Sequence, residues 1–101
     1  MREDAGEMID VQARDAYRRC LELDPDHVEA HLNLGRLLHE TGQLHAARAH
    51  YRHALSLRTG YATAAFNLGV VLEDMGRYEE AVEAYRAAIE SDPELADAHY
   101  N

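Results

Sequence analysis

Apolar residues recur every three or four positions along most of the chain, as on one buried face of an α-helix. Val28, Leu34 and Leu38 form one such stretch, and Ala47 and Tyr51 belong to the next. Helices are predicted near 8–23, at 27–41, 44–58, 61–75 and 78–91, and from about 95 onward. No segment alternates between apolar and polar residues as a strand would, so the sequence predicts an all-α protein.

Glycines and prolines separate these stretches in a regular way. Gly42 and Gly76 fall inside the pairs, where a glycine in the left-handed conformation ends a helix. Pro25, Gly60 and Pro93 fall at the boundaries of the pairs. A proline there ends a helix, because it cannot continue a helix interior. The short breaks predict two antiparallel helix pairs, 27–41 with 44–58 and 61–75 with 78–91.

The same pattern repeats after 34 residues, because Asn33-Leu34-Gly35 is followed at that distance by Asn67-Leu68-Gly69. Positions that match at this offset are called columns below. Further columns are Leu38/Leu72, Gly42/Gly76, Ala47/Ala81, Tyr51/Tyr85, Arg52/Arg86 and Ala54/Ala88. A period of this length predicts a stack of one two-helix unit. Small residues such as Gly35 and Ala47 are expected where the two helices of a pair cross closely.

The composition narrows the class of partner. A chain of 101 residues with a formal charge of −9 is one small acidic domain. Such a charge repels phosphate backbones, so a nucleic-acid partner is not expected. Residues 41–72 contain three arginines and no acid, whereas both flanking regions are acidic. This segregation either orients a partner or a second copy of the chain, or is ordinary variation on a solvated surface.

Several other functions are not expected. No apolar run reaches the roughly 18 residues of a membrane span, and the N-terminus is too acidic for a leader. The lone Cys20 fits a reducing, cytoplasmic location. It shares a column with Ala54 and Ala88, which indicates a small core residue rather than a reactive thiol. Two histidine pairs, His27/His31 and His50/His53, lack further ligands, so neither a metal nor a cofactor is predicted, and no catalytic motif occurs.

These columns resemble the tetratricopeptide repeat (TPR) family. The resemblance implies one domain: the second half of a repeat at 8–27, full repeats at 28–61 and 62–95, and the start of another at 96–101. It implies an α-solenoid of antiparallel pairs, wound as a right-handed superhelix, whose first helices line a concave groove. The chain departs from the family pattern at His31, Ala65 and His99, where a large residue is usual, and at Thr59, where proline is usual.

The groove of such a domain holds an extended peptide or a partner's helix, without chemistry of its own. Helical geometry places these residues on that face: Glu29, Leu32, Asn33, Arg36, His39, Glu40, Thr63, Phe66, Asn67, Val70, Glu73, Asp74, Asp97, Tyr100 and Asn101. Asn33, Asn67 and Asn101 form a ladder whose amides can pair with successive peptide groups. It resembles the asparagine ladder in the repeat arm of O-linked N-acetylglucosamine transferases. Alternatively, these amides bond locally.

Other members of the family clamp a C-terminal carboxylate with basic and amide residues. Arg36 and Asn67 suit that role, but Leu32 and Asp97 stand where lysines are expected. Glu73, Asp74 and Asp97 instead favour a basic or neutral segment at one end of the groove. An apolar strip is predicted from Leu32, Phe66, Val70 and Tyr100, with an exposed Phe66 as anchor.

Three functions remain open at this point. The first is a protein- or peptide-binding scaffold, expected as part of a longer TPR protein because no polar terminal repeat follows Asn101. The second is a structural spacer or self-assembly module, with a homodimer through an exposed apolar edge of Val82, Ile89 and Leu95. The third is the substrate-recruiting arm of a multidomain enzyme such as a glycosyltransferase.

Overall fold

The computed structural model describes the backbone of residues 2–94 and the side chains of residues 11–94. Five α-helices follow one another in this range, and no strand occurs in it. They are α1 (Arg2–Leu23), α2 (Val28–Glu40), α3 (Leu44–Leu57), α4 (Ala62–Asp74) and α5 (Tyr78–Ser91). Helices α2 to α5 begin and end within one residue of the predicted positions, which confirms the all-α class.

The first helix is longer than predicted, since α1 begins at Arg2 rather than near residue 8. Residues 2–10 contain no proline, and the single Gly6 costs a helix interior only about 1 kcal/mol. That cost is too small to end a helix that continues to Leu23. A helical stretch opens at Pro93 and Glu94, close to the predicted start near residue 95, and residues 95–101 lie outside the described part of the chain.

Each tight turn within a pair is closed by a glycine in the left-handed conformation. Gly42 has φ 80° and Gly76 has φ 77°. After α2, the N–H of Gln43 donates to the carbonyl of Leu38 at 2.8 Å, and the N–H of Gly42 donates to that of His39. After α4, the same two hydrogen bonds recur one repeat later. This is the Schellman motif, which satisfies the last carbonyls of the helix and reverses the chain.

The helices pack mainly in two pairs, α2 with α3 and α4 with α5, hereafter the first and second pair. Helix α3 also packs on α4, and α1 packs on α2, so the pairs stack into one layered array. A continuous core runs through the stack, with Leu34, Tyr51, Val71 and Leu72 as its largest fully buried side chains. Stacking therefore buries the apolar face that a single pair would leave in water.

A close approach within each pair joins a glycine to a tyrosine. A Cβ atom added to Gly35 would lie 2.7 Å from the ring of Tyr51, and one added to Gly69 would lie 2.7 Å from the ring of Tyr85. The predicted alanine partners, Ala47 and Ala81, are buried one turn before those tyrosines. The glycines thus make room for an aromatic ring of the second helix.

Candidate peptide-binding groove

Helices α2 and α4 contribute to two adjacent pockets on one side of the array, hereafter the inner face. The first pocket, of about 150 Å³, is lined by Ala13, Tyr17, Asn33, Arg36, Leu37 and Glu40. The second, of about 160 Å³, is lined by Arg36, His39, Glu40, Tyr51, Asn67 and Val70. Arg36 and Glu40 line both pockets, so the two form one continuous depression. Sequence reasoning missed the contributions of α1 and Tyr51, because periodicity does not show which neighbouring helix closes a pocket.

The asparagine column occupies equivalent places in this depression. Asn33 lines the first pocket and Asn67 the second. Within the described part of the chain, neither side-chain amide makes a hydrogen bond, and neither is left as a buried group without a partner. The local bonding considered as the alternative is therefore not seen at these two residues. Both amides have a donor and an acceptor available at a spacing of one repeat.

Tyr51 is one of the residues that line the second pocket. Its ring is buried against Gly35, and this burial raises the pKa of Tyr51 to about 12. Nearby Arg36 opposes that shift in pKa, while Glu40 adds to it. At neutral pH the phenol therefore stays protonated and can either donate or accept a hydrogen bond.

Two predicted acidic residues of the groove already have partners in the fold. The Nε2 atom of His39 lies 2.7 Å from Oδ2 of Asp74, which ties the end of α2 to the end of α4. The hydroxyl of Tyr85 donates to Oε1 of Glu73 at 2.7 Å. The acidic end of the groove is thus partly occupied by internal contacts, which lowers its attraction for a basic segment.

The apolar strip differs from its prediction. Leu32 is only 7% exposed and belongs to the core, so its assignment to the ligand-facing surface is wrong. Phe66 is half-buried rather than exposed, with its ring centroid 5.3 Å from that of Tyr85. Both helices have neighbours on more than one side, so their buried sectors are wider than a single apolar stripe.

The remaining predicted groove residues differ in where they lie. Glu29 and Thr63 are exposed and line neither inner pocket, whereas Val70 is half-buried in the second. Asp97, Tyr100 and Asn101 lie outside the described residues, so the third step of the asparagine ladder stays a prediction.

Three histidines meet on another side of the first pair, in a cluster that spacing alone did not reveal. His31 is 5% exposed, and its Nδ1 lies 3.1 Å from Nδ1 of His50. The ring of His53 stacks on that of His31 at 4.1 Å between centroids. The sequence had paired His31 with His27, but His27 instead caps α2 by accepting a hydrogen bond from the Ala30 N–H. The sequence did contain one signal for this cluster. His50 and His53 are three residues apart on the helix that packs against α2.

Hydrogen bonding sets the tautomers of the neutral rings in this cluster. His31 Nε2 lies 2.7 Å from the carbonyl oxygen of Pro25, which can only accept, so Nε2 carries a proton. A neutral His31 then accepts at Nδ1, and His50 donates from its own Nδ1. Burial lowers the pKa of His50, as do His31, His53 and Arg18. Among the described residues, no group of three or more potential ligands is placed to hold a metal ion.

Comparison with known proteins agrees with this architecture. A family model described as "TPR repeat" matches residues 35–76 and 74–101, and a second, "Tetratricopeptide repeat", matches 16–49. The chain belongs to the tetratricopeptide repeat family. No curated protein matches it significantly. Within residues 2–94, each helix is too short or too polar to cross a membrane.

Solved structures show the same fold over most of the chain. MamA is 27% identical with a TM-score of 0.80, and the match covers 93% of this chain and 56% of MamA. YrrB, a TPR protein with an unusual peptide-binding site, is 26% identical with a TM-score of 0.79, covering 88% and 46%. A mutant O-GlcNAc transferase of Thermobaculum terrenum is 35% identical with a TM-score of 0.77, covering 79% and 15%. The chain thus spans about half of MamA and YrrB, and a small part of the transferase.

Proposed function

We propose that the chain is a non-catalytic scaffold whose inner face binds an extended peptide or a helix of a partner protein. The observation that carries this proposal is the pair of amides, Asn33 and Asn67, which lie unbonded in adjacent pockets one repeat apart. Amides at regular steps bind main-chain groups irrespective of the partner's side chains. The likeness to YrrB, which has a peptide-binding site, supports the same function.

The chemistry of the depression sets the kind of peptide. Arg36 lines both pockets and Tyr51 lines the second, so a main-chain carbonyl or an acidic side chain finds donors there. Glu40 lines both pockets as well, so a run of acidic residues would be repelled. We infer that the preferred segment is nearly neutral and lies along the two pockets. No cofactor, metal or nucleic acid takes part in this proposal, and a cytoplasmic location is a prediction from the lone Cys20.

Peptides selected from a random nonapeptide display library test the proposal. Asn33→Ala together with Asn67→Ala should weaken the selected peptides, since each lost hydrogen bond costs about 1 kcal/mol, or about fivefold in Kd. Fluorescence polarisation measures that affinity, and thermal melting should show an unchanged fold. Thr63→Ala is the matched control, because Thr63 is exposed on α4 but lines neither pocket. Unchanged affinity in the double variant would rule out the ladder.

A specific observation favours self-assembly as a second candidate. Tyr78, Val82 and Ile89 are 66%, 47% and 45% exposed, and their spacing puts them on one stripe of α5. One repeat earlier, Leu44 and Leu55 pack against the core. The stripe is therefore suited to pack against a second copy of the chain or against a further repeat. Leu95, the third residue predicted at this edge, lies outside the described residues. Sedimentation of the wild type and of the variant Val82→Glu with Ile89→Glu tests the homodimer. The variant should lose any self-association that the wild type shows, and a wild type that is monomeric at high concentration excludes the homodimer.

The likeness to part of a glycosyltransferase favours a third candidate, a substrate-recruiting arm. It predicts a transferase domain in the same full-length polypeptide. It also predicts that Asn33→Ala with Asn67→Ala raises KM for protein substrates, while hydrolysis of the sugar donor stays unchanged.

A further inference from the structure

A pocket that the inner-face function does not use lies where α3 meets the second pair, hereafter the outer pocket. It measures about 270 Å³ and lies between α3, α4 and α5. Its apolar lining consists of Leu55, Ala65, Leu68, Leu72, Ala84 and Ala87. Arg52, Glu80 and Glu83 complete it. The volume lies below the roughly 300–1,000 Å³ of small-molecule sites, so it suits one inserted side chain.

The outer pocket faces away from the groove. Helix α4 contributes Asn67 and Val70 to the inner face, but Ala65, Leu68 and Leu72 to the outer pocket. At 3.6 residues per turn, these two sets point in nearly opposite directions from the axis of α4. A ligand in the outer pocket therefore leaves the groove free.

The first pair shows what fills the corresponding space. Ala65, Ala84 and Ala87 stand one repeat after His31, His50 and His53. In the first pair those three rings pack on one another, with His31 buried beneath them. A depression of about 360 Å³ remains beside His50, lined by Arg18, Leu21, Glu22 and Leu34, but His31 and His53 are not part of its lining. The outer pocket is smaller, and with methyl groups in place of the three imidazole rings it reaches Ala65 and Leu72.

The charge also differs between the two places. Glu80 and Glu83 stand one repeat after Ala46 and Ala49, so the second pair has two carboxylates where the first has none. Glu80 is paired with Arg52 and Arg77, each at 3.3 Å. Glu83 makes no ion pair with any described residue and is exposed. A cation that approaches the outer pocket can therefore pair with the carboxylate of Glu83.

We propose that the outer pocket binds a partner protein through one phenylalanine or leucine side chain that is followed by an arginine or lysine. The apolar side chain takes the space that imidazole rings fill in the first pair. The neighbouring cation pairs with Glu83. Most of the binding energy of an interface comes from a few residues seated in desolvated pockets, and aromatic residues and arginine are frequent among them.

Two capped dipeptides test this on the full ¹⁵N-labelled chain, Ac-Phe-Arg-NH2 and Ac-Phe-Glu-NH2. The first should shift the amide resonances of Ala65, Ala84 and Ala87 at millimolar concentration and bind at least fivefold more tightly than the second. Glu83→Gln should bring the two dipeptides to the same affinity. Shifts that map to Asn33 and Asn67, or equal affinity of both dipeptides for the wild type, would overturn the proposal.

A transplant of the first pair's residues gives the matched variant. Ala65→His with Ala84→His and Ala87→His should fill the pocket and lower the affinity for Ac-Phe-Arg-NH2 at least tenfold, while groove-selected peptides bind as before. Unchanged affinity of a folded triple variant would contradict the proposal; if circular dichroism shows it unfolded, Glu83→Gln decides alone. If the three resonances shift on dilution of the protein without peptide, the occupant is a second copy of the chain and the proposal is wrong.

Discussion

The two helix pairs share one backbone plan, but differ on the side away from the groove. The first pair packs His31, His50 and His53 together there, and the second has alanine at all three positions. Both keep the contact between a glycine of the first helix and a tyrosine of the second. A few columns of small and aromatic residues therefore maintain the pair, while the columns away from the groove can carry different side chains.

The largest expected effect compares the two glycine–tyrosine contacts. Gly35→Ala should lower the free energy of unfolding by about 1–3 kcal/mol, because the new methyl would lie 2.7 Å from the Tyr51 ring. Gly69→Ala should cost less, since Tyr85 is only half-buried and its ring can move. Urea denaturation measures both, with Glu29→Ala as an exposed control on α2. Two variants more stable than the wild type would mean that the close approach does not exist.

The histidine cluster should make the first pair sensitive to acid. The pKa of His50 in the folded state lies below its ordinary value of 6.5, so the folded protein binds this proton less readily than the unfolded chain. Its contribution to stability is therefore full above pH 6.5 and is lost as the pH falls through 6.5 towards the folded pKa. His50→Ala should flatten that dependence in thermal melts between pH 5 and 8.

His45→Ala is the matched control for the acid experiment, because His45 is exposed on the same helix. It should leave the acid dependence of the wild type in place. If His50→Ala shows the same acid dependence as the wild type, the histidine cluster is not its source.

The two tyrosine hydroxyls should respond differently to removal. Tyr85→Phe loses the hydrogen bond to Glu73 and should cost about 0.5–1.5 kcal/mol, nearer the lower figure because the bond is exposed. Tyr51→Phe should change stability by less than about 0.5 kcal/mol at neutral pH, since its hydroxyl bonds to no described residue. Because the pKa of Tyr51 is raised from 10.0 to about 12, the wild type loses stability between pH 10 and 12, and Tyr51→Phe keeps it. Equal losses for the two variants at neutral pH would contradict this contrast.

The smallest expected effect concerns the bridge between the pairs. Asp74→Asn removes the charge that faces His39, in a contact whose side chains are 24% and 51% exposed. Exposed ion pairs contribute about 0.2–1 kcal/mol, and salt screens the part that depends on a protonated His39. Chemical denaturation at low and high salt measures the loss, which should shrink as salt is added. A loss that does not depend on salt would point to a hydrogen bond rather than to charge.

Local signals made the helices predictable. The glycines after α2 and α4 ended those helices where expected, because a positive φ is far easier for glycine than for any other residue. The start of α1 was missed by six residues, since no cap or proline marks it. Among the groove residues, Asn33 and Asn67 lie in the pockets, but Leu32 does not, because its burial depends on neighbours that periodicity cannot place.

The period of 34 residues, with small residues where the helices cross, was enough to determine the family and the order of helices. Those features act within a turn or between adjacent helices, so they can be read from neighbouring positions. The folded chain was needed to bring His31 against His50, to put Tyr51 and Asn67 in the lining of one pocket, and to open the outer pocket lined by Ala65 and Ala84. The two residues of each pair are at least 16 positions apart, and their proximity depends on how the helices pack.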